Sequence, residues 1–201
     1  MPGMAGAITI YGSFKLVQTG DVLFENNVTD KNTAGAIYCG NNERKRIGGQ
    51  WLLSADGGNI VFRGNLVKGS SGVFARALGI FAYAPENDYT GMSQPNGNLT
   101  MDFRAQAGRE IVFYDGIDIE SITVAMPTLH INRIPSDWAD YGGIPVEFGG
   151  TVRFSGALTE SFLVRNDGES DGDYAERVEA SRRVKLESNI IVEGGRLVLE
   201  Y

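Results

Sequence analysis

A short phrase returns four times in this sequence: a glycine-bearing turn, then an apolar residue, any residue, and Phe. The copies are Gly20-Asp21-Val22-Leu23-Phe24, Gly58-Asn59-Ile60-Val61-Phe62, Gly108-Arg109-Glu110-Ile111-Val112-Phe113 and Gly150-Thr151-Val152-Arg153-Phe154. Residues two apart on a strand face the same side, so each copy offers one inward pair and one residue of opposite orientation. So small a unit cannot cover its own apolar face, and reuse of one inward pair suits a stack of coils that bury one another. The phrase predicts a right-handed parallel β-helix with irregular rungs, in which Phe24, Phe62, Phe113 and Phe154 form one interior file. These Phe residues lie 38, 51 and 41 apart. Coils of this kind take about 20 to 25 residues, so the expectation is two rungs per interval with loops of unequal length. A β-sandwich also uses short strands and Gly turns but gives no reason for the phrase to return.

Alternation of apolar and polar residues predicts strands over 6–17, 22–24, 60–62, 99–103, 111–113, 117–124, 129–134, 152–154 and 184–201. Turn clusters such as Asp56-Gly57-Gly58-Asn59 and Pro95-Asn96-Gly97-Asn98 separate them. The expected fold is all-β, one domain over residues 1–201 with no internal boundary. One segment departs from it: about 167–183 is rich in helix formers and reads as a short helical or loop insertion. Asp173 would cap its start, and Tyr174, Val178 and Ser181 would share a face.

A hydrophobic content of 42% is too high for disorder. A net charge of −7 repels a phosphate backbone. The basic clusters Arg44-Lys45-Arg46 and Arg182-Arg183-Val184-Lys185 are short and have Glu43 and Glu187 beside them, so no nucleic-acid partner is expected. Cys39 is the only cysteine, which excludes an internal disulfide and suits a small buried hydrophobe. The first residues lack the basic head and apolar run of a secretory signal, and no window suits a membrane helix. The last residues read as a strand cut in mid-pattern, so the chain is expected to be a fragment of a longer polypeptide.

Several phrases together resemble the polymorphic outer membrane proteins, autotransporters of Gram-negative bacteria whose passengers repeat Phe-x-x-Asn and Gly-Gly-Ala-(Ile/Leu/Val). Phe24-Glu25-Asn26-Asn27 and Phe62-Arg63-Gly64-Asn65 fit the first motif. Ala34-Gly35-Ala36-Ile37 fits the second apart from Ala34. The run from Leu99-Thr100-Met101 through Ala105-Gln106-Ala107-Gly108-Arg109 to Ile111-Val112-Phe113-Tyr114-Asp115 resembles a late strand pair of those passengers. Tyr141-Gly142-Gly143, Gly150 to Gly156, Val184-Lys185-Leu186 and Gly194 to Leu199 follow in the same order. After Phe113 and Phe154 the pattern's Asn is replaced by Gly116 and Ala157. The resemblance implies a passenger segment at the cell surface, in the outer membrane or secreted. It would be non-catalytic, an adhesin or a stalk that supports passenger folding and secretion. A C-terminal barrel, absent from this chain, would be a partner, as would a surface protein or glycan of a host or neighbouring cell.

The motif also has a physical account. Asn27 and Asn65, just after an inward Phe, would turn into the bend and satisfy backbone groups of neighbouring rungs. Gly35-Ala36-Ile37 would let the backbone turn tightly and resume a strand. No cofactor or metal is implied. His130 lies opposite Leu129 and Ile131 and reads as a surface strand histidine with no Ser or Cys motif beside it. Asp167 to Asp173 alternates acids as a calcium loop would, but Val178 stands where an EF-hand needs Glu. A carbohydrate-active β-helix enzyme is the alternative; it would need Asp21, Asp102, Asp115, Asp118 or Glu120 to converge at glycosidase spacing. Among Trp51, Trp138, Tyr83, Tyr89 and Tyr141, the turn-rich loop bearing Trp138 and Tyr141 is the candidate binding element. Cut solenoid ends would expose strand edges and favour self-association.

Overall fold

The computed structural model describes residues 6–10, 14–30, 34–39, 50–69, 74–84, 100–121, 128–133, 148–155, 157–182, 184–186 and 189–200. Over these the protein is all-β with parallel sheets and little helix. The first strands are β1 (Ile8–Ile10), β2 (Phe14–Val17), β3 (Val22–Glu25) and β4 (Val28–Thr29). Then come β5 (Ile37–Cys39), β6 (Gln50–Ala55), β7 (Ile60–Arg63), β8 (Leu66–Lys68) and β9 (Phe74–Ala84). The middle holds β10 (Thr100–Ala105), β11 (Glu110–Phe113), β12 (Gly116–Ser121), β13 (Thr128–Ile131) and β14 (Thr151–Ser155). Helices α1 (Glu160–Leu163) and α2 (Asp171–Arg182) precede β15 (Val184–Leu186), β16 (Asn189–Val192) and β17 (Arg196–Glu200).

Three sheets share these strands, and the chain visits them in a fixed cycle. The first runs β1-β5-β9-β12-β15, the second β2-β6-β10-β13-β16, and the third β3-β7-β11-β14-β17. Each pass along the chain thus contributes one strand to each sheet, and every strand pairs in parallel with its counterpart one pass on. The interval between consecutive Phe copies is therefore one pass, not two, because Phe24 is the direct register partner of Phe62. Connections between strands take up the extra length. The expected strand over 6–17 is likewise two strands, β1 and β2, which belong to different sheets.

Register puts like on like. Ile8, Ile37, Ile80, Ile117 and Val184 form one file across the first sheet. Phe14, Trp51, Met101, Leu129 and Ile190 form another across the second. In the third, Val22, Ile60, Ile111, Val152 and Leu197 run beside Phe24, Phe62, Phe113, Phe154 and Leu199. A one-residue slip would turn each file outward, so burial fixes the register. One buried cluster draws on all three sheets, and Ile37, Trp51, Phe62, Phe103, Phe113 and Ile131 are among its fully buried members.

A smaller cluster sits outside. Strand β8 pairs in parallel with β4 and antiparallel with the first part of β9. Leu66 and Ala77 pack there with Leu158 and Phe162, joined by Phe74, Leu163 and Val178. The insertion is thus longer than the expected 167–183, because α1 and the segment before it dock on the same patch. Ser170, not Asp173, caps α2. The backbone N–H of Asp173 donates to Ser170 Oγ at 3.2 Å, and that hydroxyl donates to Asp173 Oδ2 at 2.6 Å, a reciprocal capping pair.

Candidate functional site

The Phe-x-x-Asn copies meet at the corner that follows each strand of the third sheet. The four Phe rings stack in one file: Phe24 on Phe62 at 4.6 Å between centroids, Phe62 on Phe113 at 4.6 Å, and Phe113 on Phe154 at 5.2 Å, all within 16° of parallel. Beside them runs a column of hydrogen bonds. Asn27 Nδ2 donates to Asn65 Oδ1 at 2.8 Å. Asn65 Nδ2 donates to the Phe24 carbonyl at 2.9 Å and to Asp115 Oδ2 at 2.5 Å, and the Asn65 backbone N–H reaches the same Oδ2 at 3.0 Å.

Asp115 thus fills the place the sequence pattern leaves without an Asn. In the first two copies the third residue of the motif adopts a left-handed conformation, Asn26 at φ 55 and Gly64 at φ 66. The third copy lacks that residue, and the acid arrives one position sooner. Burial pushes the Asp115 carboxyl up to about 6, against the hydrogen bonds from Asn65 and the Gly64 backbone, which act to lower it. Its second oxygen, Oδ1, is buried with no hydrogen-bond partner among the described residues.

Gly35-Ala36-Ile37 lies at the opposite end of that corner, entering β5. A side chain at Gly35 would meet the backbone of Asn65 and Leu66 at 2.5 Å, so the motif glycine is demanded by close approach of the next pass. Ala36 and Ile37 are fully buried. Gly6-Ala7-Ile8 is a further copy that motif matching alone passes over; Ile8 pairs with Ile37, and Gly6 N–H donates to the Ala34 carbonyl at 3.3 Å.

Two more ladders escaped sequence inspection. At the corner entering the third sheet, Asn59 N–H donates to Asp21 Oδ1 at 2.8 Å, and Glu110 N–H donates to Asn59 Oδ1 at 2.9 Å. At the corner leaving the second sheet, Asn132 Oδ1 accepts from Ala105 N–H, and its Nδ2 donates to the carbonyls of Gly150 and Gly194. Asn132 therefore ties three successive passes together. The signal that could have found these is positional: each polar residue stands at the turn flanking an alternating run.

The outward face of the second sheet carries a charged group. Asp102, His130 and Ile191 are successive register partners, with Leu52 on the other side of Asp102. Arg133 donates to Asp102 Oδ2 at 2.7 Å, Arg104 lies 3.9 Å from the same oxygen, and His130 Nδ1 is 3.2 Å from Glu193 Oε2. The Arg104 guanidinium also sits over the Phe148 ring. Asp118 is on the first sheet, paired with Arg76 at 2.8 Å. The acids singled out in the sequence are thus dispersed: Asp102 and Asp118 on different sheets, Asp21 and Asp115 at different corners. The Glu120 side chain lies outside the described residues.

In the insertion, Arg177 forms a clip. Its Nε and Nη2 donate to the two carboxylate oxygens of Glu169 at 2.6 and 2.9 Å, and Nη1 and Nη2 donate to the carbonyls of Phe162 and Val164. The Arg177 guanidinium holds the Glu169 carboxyl down at about 2. Trp138 and Tyr141, the expected binding loop, lie outside the described residues, as do Arg44, Lys45, Arg46 and Tyr89 and the side chains of Cys39 and Tyr83. Comparison with protein-family models, curated proteins and solved structures returned no match.

Proposed function

We propose that the passes are the rungs of a right-handed parallel β-helix, and that the chain is a non-catalytic segment of a surface-displayed autotransporter passenger, an adhesin or stalk. The stacked Phe file beside the Asn27–Asn65–Asp115 column carries this reading. It assigns the repeated motif to holding successive passes together, which is the work of a display scaffold rather than of a reaction centre. Right-handed crossover is the hand that parallel strands adopt in nearly every known connection. The resemblance to polymorphic outer membrane proteins rests on the same residues. In this reading the connections between strands carry recognition, with Trp138 and Tyr141 the contact residues for a protein or glycan on another cell. Cleavage of a polysaccharide would require two carboxylates facing one groove, and the four described acids occupy separate sheets and corners.

The test is binding and turnover on the same preparation. Beads coated with the chain are expected to attach saturably to intact animal or bacterial cells, and a Trp138→Ala/Tyr141→Ala double variant to lose most of that attachment. A panel of acidic and neutral polysaccharides is expected to yield no new reducing ends and no unsaturated products. Attachment no greater than that of an unrelated β-rich protein removes the adhesin reading, and sustained product release replaces it with the enzyme.

A further inference from the structure

A single turn of chain separates the Asp115 carboxyl from the docked insertion. In the first two passes the chain leaves the Phe corner through an outer strand, β4 or β8, but in the third only Tyr114 and Asp115 stand between β11 and β12. Asp115 is 3% exposed and lies against the turn Gly64-Asn65, which hydrogen-bonds to it through the backbone of both residues and the Asn65 side chain. The other side of that turn meets the insertion. Gly64 holds φ 66, and a side-chain carbon placed there would lie 3.4 Å from Thr159 Cγ2. Thr159 starts α1, its carbonyl accepting from the N–H groups of Phe162 and Leu163. Leu66, next to Asn65, packs with Leu158 and Phe162. The segment Gly64-Asn65-Leu66 therefore holds the carboxyl with its first two residues and α1 with its first and last.

The charged groups on the elements packed around this corner are committed elsewhere. Arg63 of β7 is engaged by Glu25, Arg76 of β9 by Asp118 of β12, and in the insertion Arg165 by Asp171 and Arg177 by Glu169. Lys68 of β8 stands over the Phe74 ring, and Glu160 of α1 is exposed. Asp115 Oδ1 has no hydrogen-bond partner among the described residues. Ionisation would place a charge in this dry corner with one oxygen undonated, which favours any opening that lets water in. The flanking strands are paired on both sides, whereas α1 is one turn long and most of α2 is exposed, so displacing the insertion is the least costly opening.

We propose that Asp115 and the Gly64-Asn65-Leu66 turn form a proton-gated latch: the protonated carboxyl keeps the insertion docked, and its ionisation releases α1 from the corner. Burial holds the docked carboxyl at about 6, above the ordinary 3.8 to which it returns when hydrated. The proton is thus bound more tightly in the docked form. Docking is fully favoured below about pH 4 and weakens as pH rises through about 6, by at most about 100-fold. Release uncovers the apolar patch of Leu66 and Ala77 that Leu158 and Phe162 otherwise bury.

The experiment measures hydrogen exchange of the whole chain near pH 4 and near pH 7, with each rate divided by the intrinsic rate at that pH. Protection across 160–182 is expected to be lower than in β10 and β11 at both, the mark of local opening, and to fall between them by about tenfold to 100-fold. Asp115→Asn should keep the insertion protected at both pH values, and Glu160→Gln should respond as the unmodified chain does. The same coupling is read in reverse from the carbon-13 titration of the Asp115 carboxyl. Linkage requires that Phe162→Ala, which loosens α1, move that titration from about 6 to below about 5. Insertion protection that is the same at both pH values overturns the proposal, as does protection equal to that of β10 and β11, which would mean opening only with the whole chain. A pH response that survives Asp115→Asn or vanishes with Glu160→Gln also overturns it. Should Asp115→Asn fail to fold, the titration in Phe162→Ala decides, and an unmoved value overturns the latch.

Discussion

At the scale of single residues, Asn65 holds the corner together. Its side chain and N–H engage Asn27, the Phe24 carbonyl and Asp115, and the residue is fully buried. Asn65→Ala takes the side-chain donor from the Phe24 carbonyl and from Asp115 Oδ2, which keeps the backbone N–H, and the acceptor from the part-buried Asn27 amide; at about 1 to 3 kcal/mol for a buried group left unpaired, the expected loss is about 2 to 4 kcal/mol by urea denaturation. Asn27→Ala, at a less buried position with fewer bonds, should lose about 1 kcal/mol; equal losses at the two sites would mean that the column is not anchored at Asn65. Asp115 makes the corner sensitive to pH. Its folded value of about 6 lies above the ordinary 3.8, so the folded state holds the proton more tightly than the unfolded chain. Its contribution is therefore fully present below about pH 4 and is lost as pH rises through about 6, a difference of about 3 kcal/mol. Asp115→Asn keeps an acceptor for Asn65 without the charge. It should raise stability at pH 8 and flatten the change between pH 4 and 6, read from denaturation midpoints across that range. An unchanged profile would assign the pH response to other groups.

Elements show what patterning alone reveals. Strand alternation and the Gly-to-Phe phrase located β3, β7, β11 and β14 and their shared inward face, because periodicity of two is a local property that the sequence carries directly. The number of passes per interval was not legible, since loop length says nothing about how far the chain travels before it pairs again. Nor was Asp115 as the third member of the Asn column, because the substitution comes with a one-residue deletion of the left-handed corner position, Asn26 or Gly64 in the other copies. The helical insertion was visible in composition, but α1 was not: four residues are too few for a periodic signal, and it forms because Phe162 and Leu158 bury against Leu66 and Ala77. Two substitutions separate the stack from the insertion. Phe62→Ala removes a ring stacked on both faces and should cost about 3 to 5 kcal/mol of global stability. Arg177→Lys keeps the charge but loses the fork that spans Glu169 and two carbonyls. It is expected to open protease cleavage within 160–182 while leaving the denaturation midpoint of the strands nearly unchanged. Cleavage confined to other segments would place the clip's role elsewhere.

For the whole molecule, nearest-neighbour contact dictates how stability is distributed. Among the described residues, each interior pass is hydrogen-bonded to a pass on either side, whereas the first and last are paired on one side. If the passes stack as the proposed β-helix, opening an end breaks one interface and opening the middle breaks two. Backbone amides should therefore exchange with deuterium slowest in β10, β11 and β13. Exchange in β16 and β17, where the core side chains are half in solvent, should be faster by about tenfold or more, or about 1.4 kcal/mol in opening free energy. A sandwich with one shared core would instead protect its strands together, so uniform protection along the chain would contradict stacking.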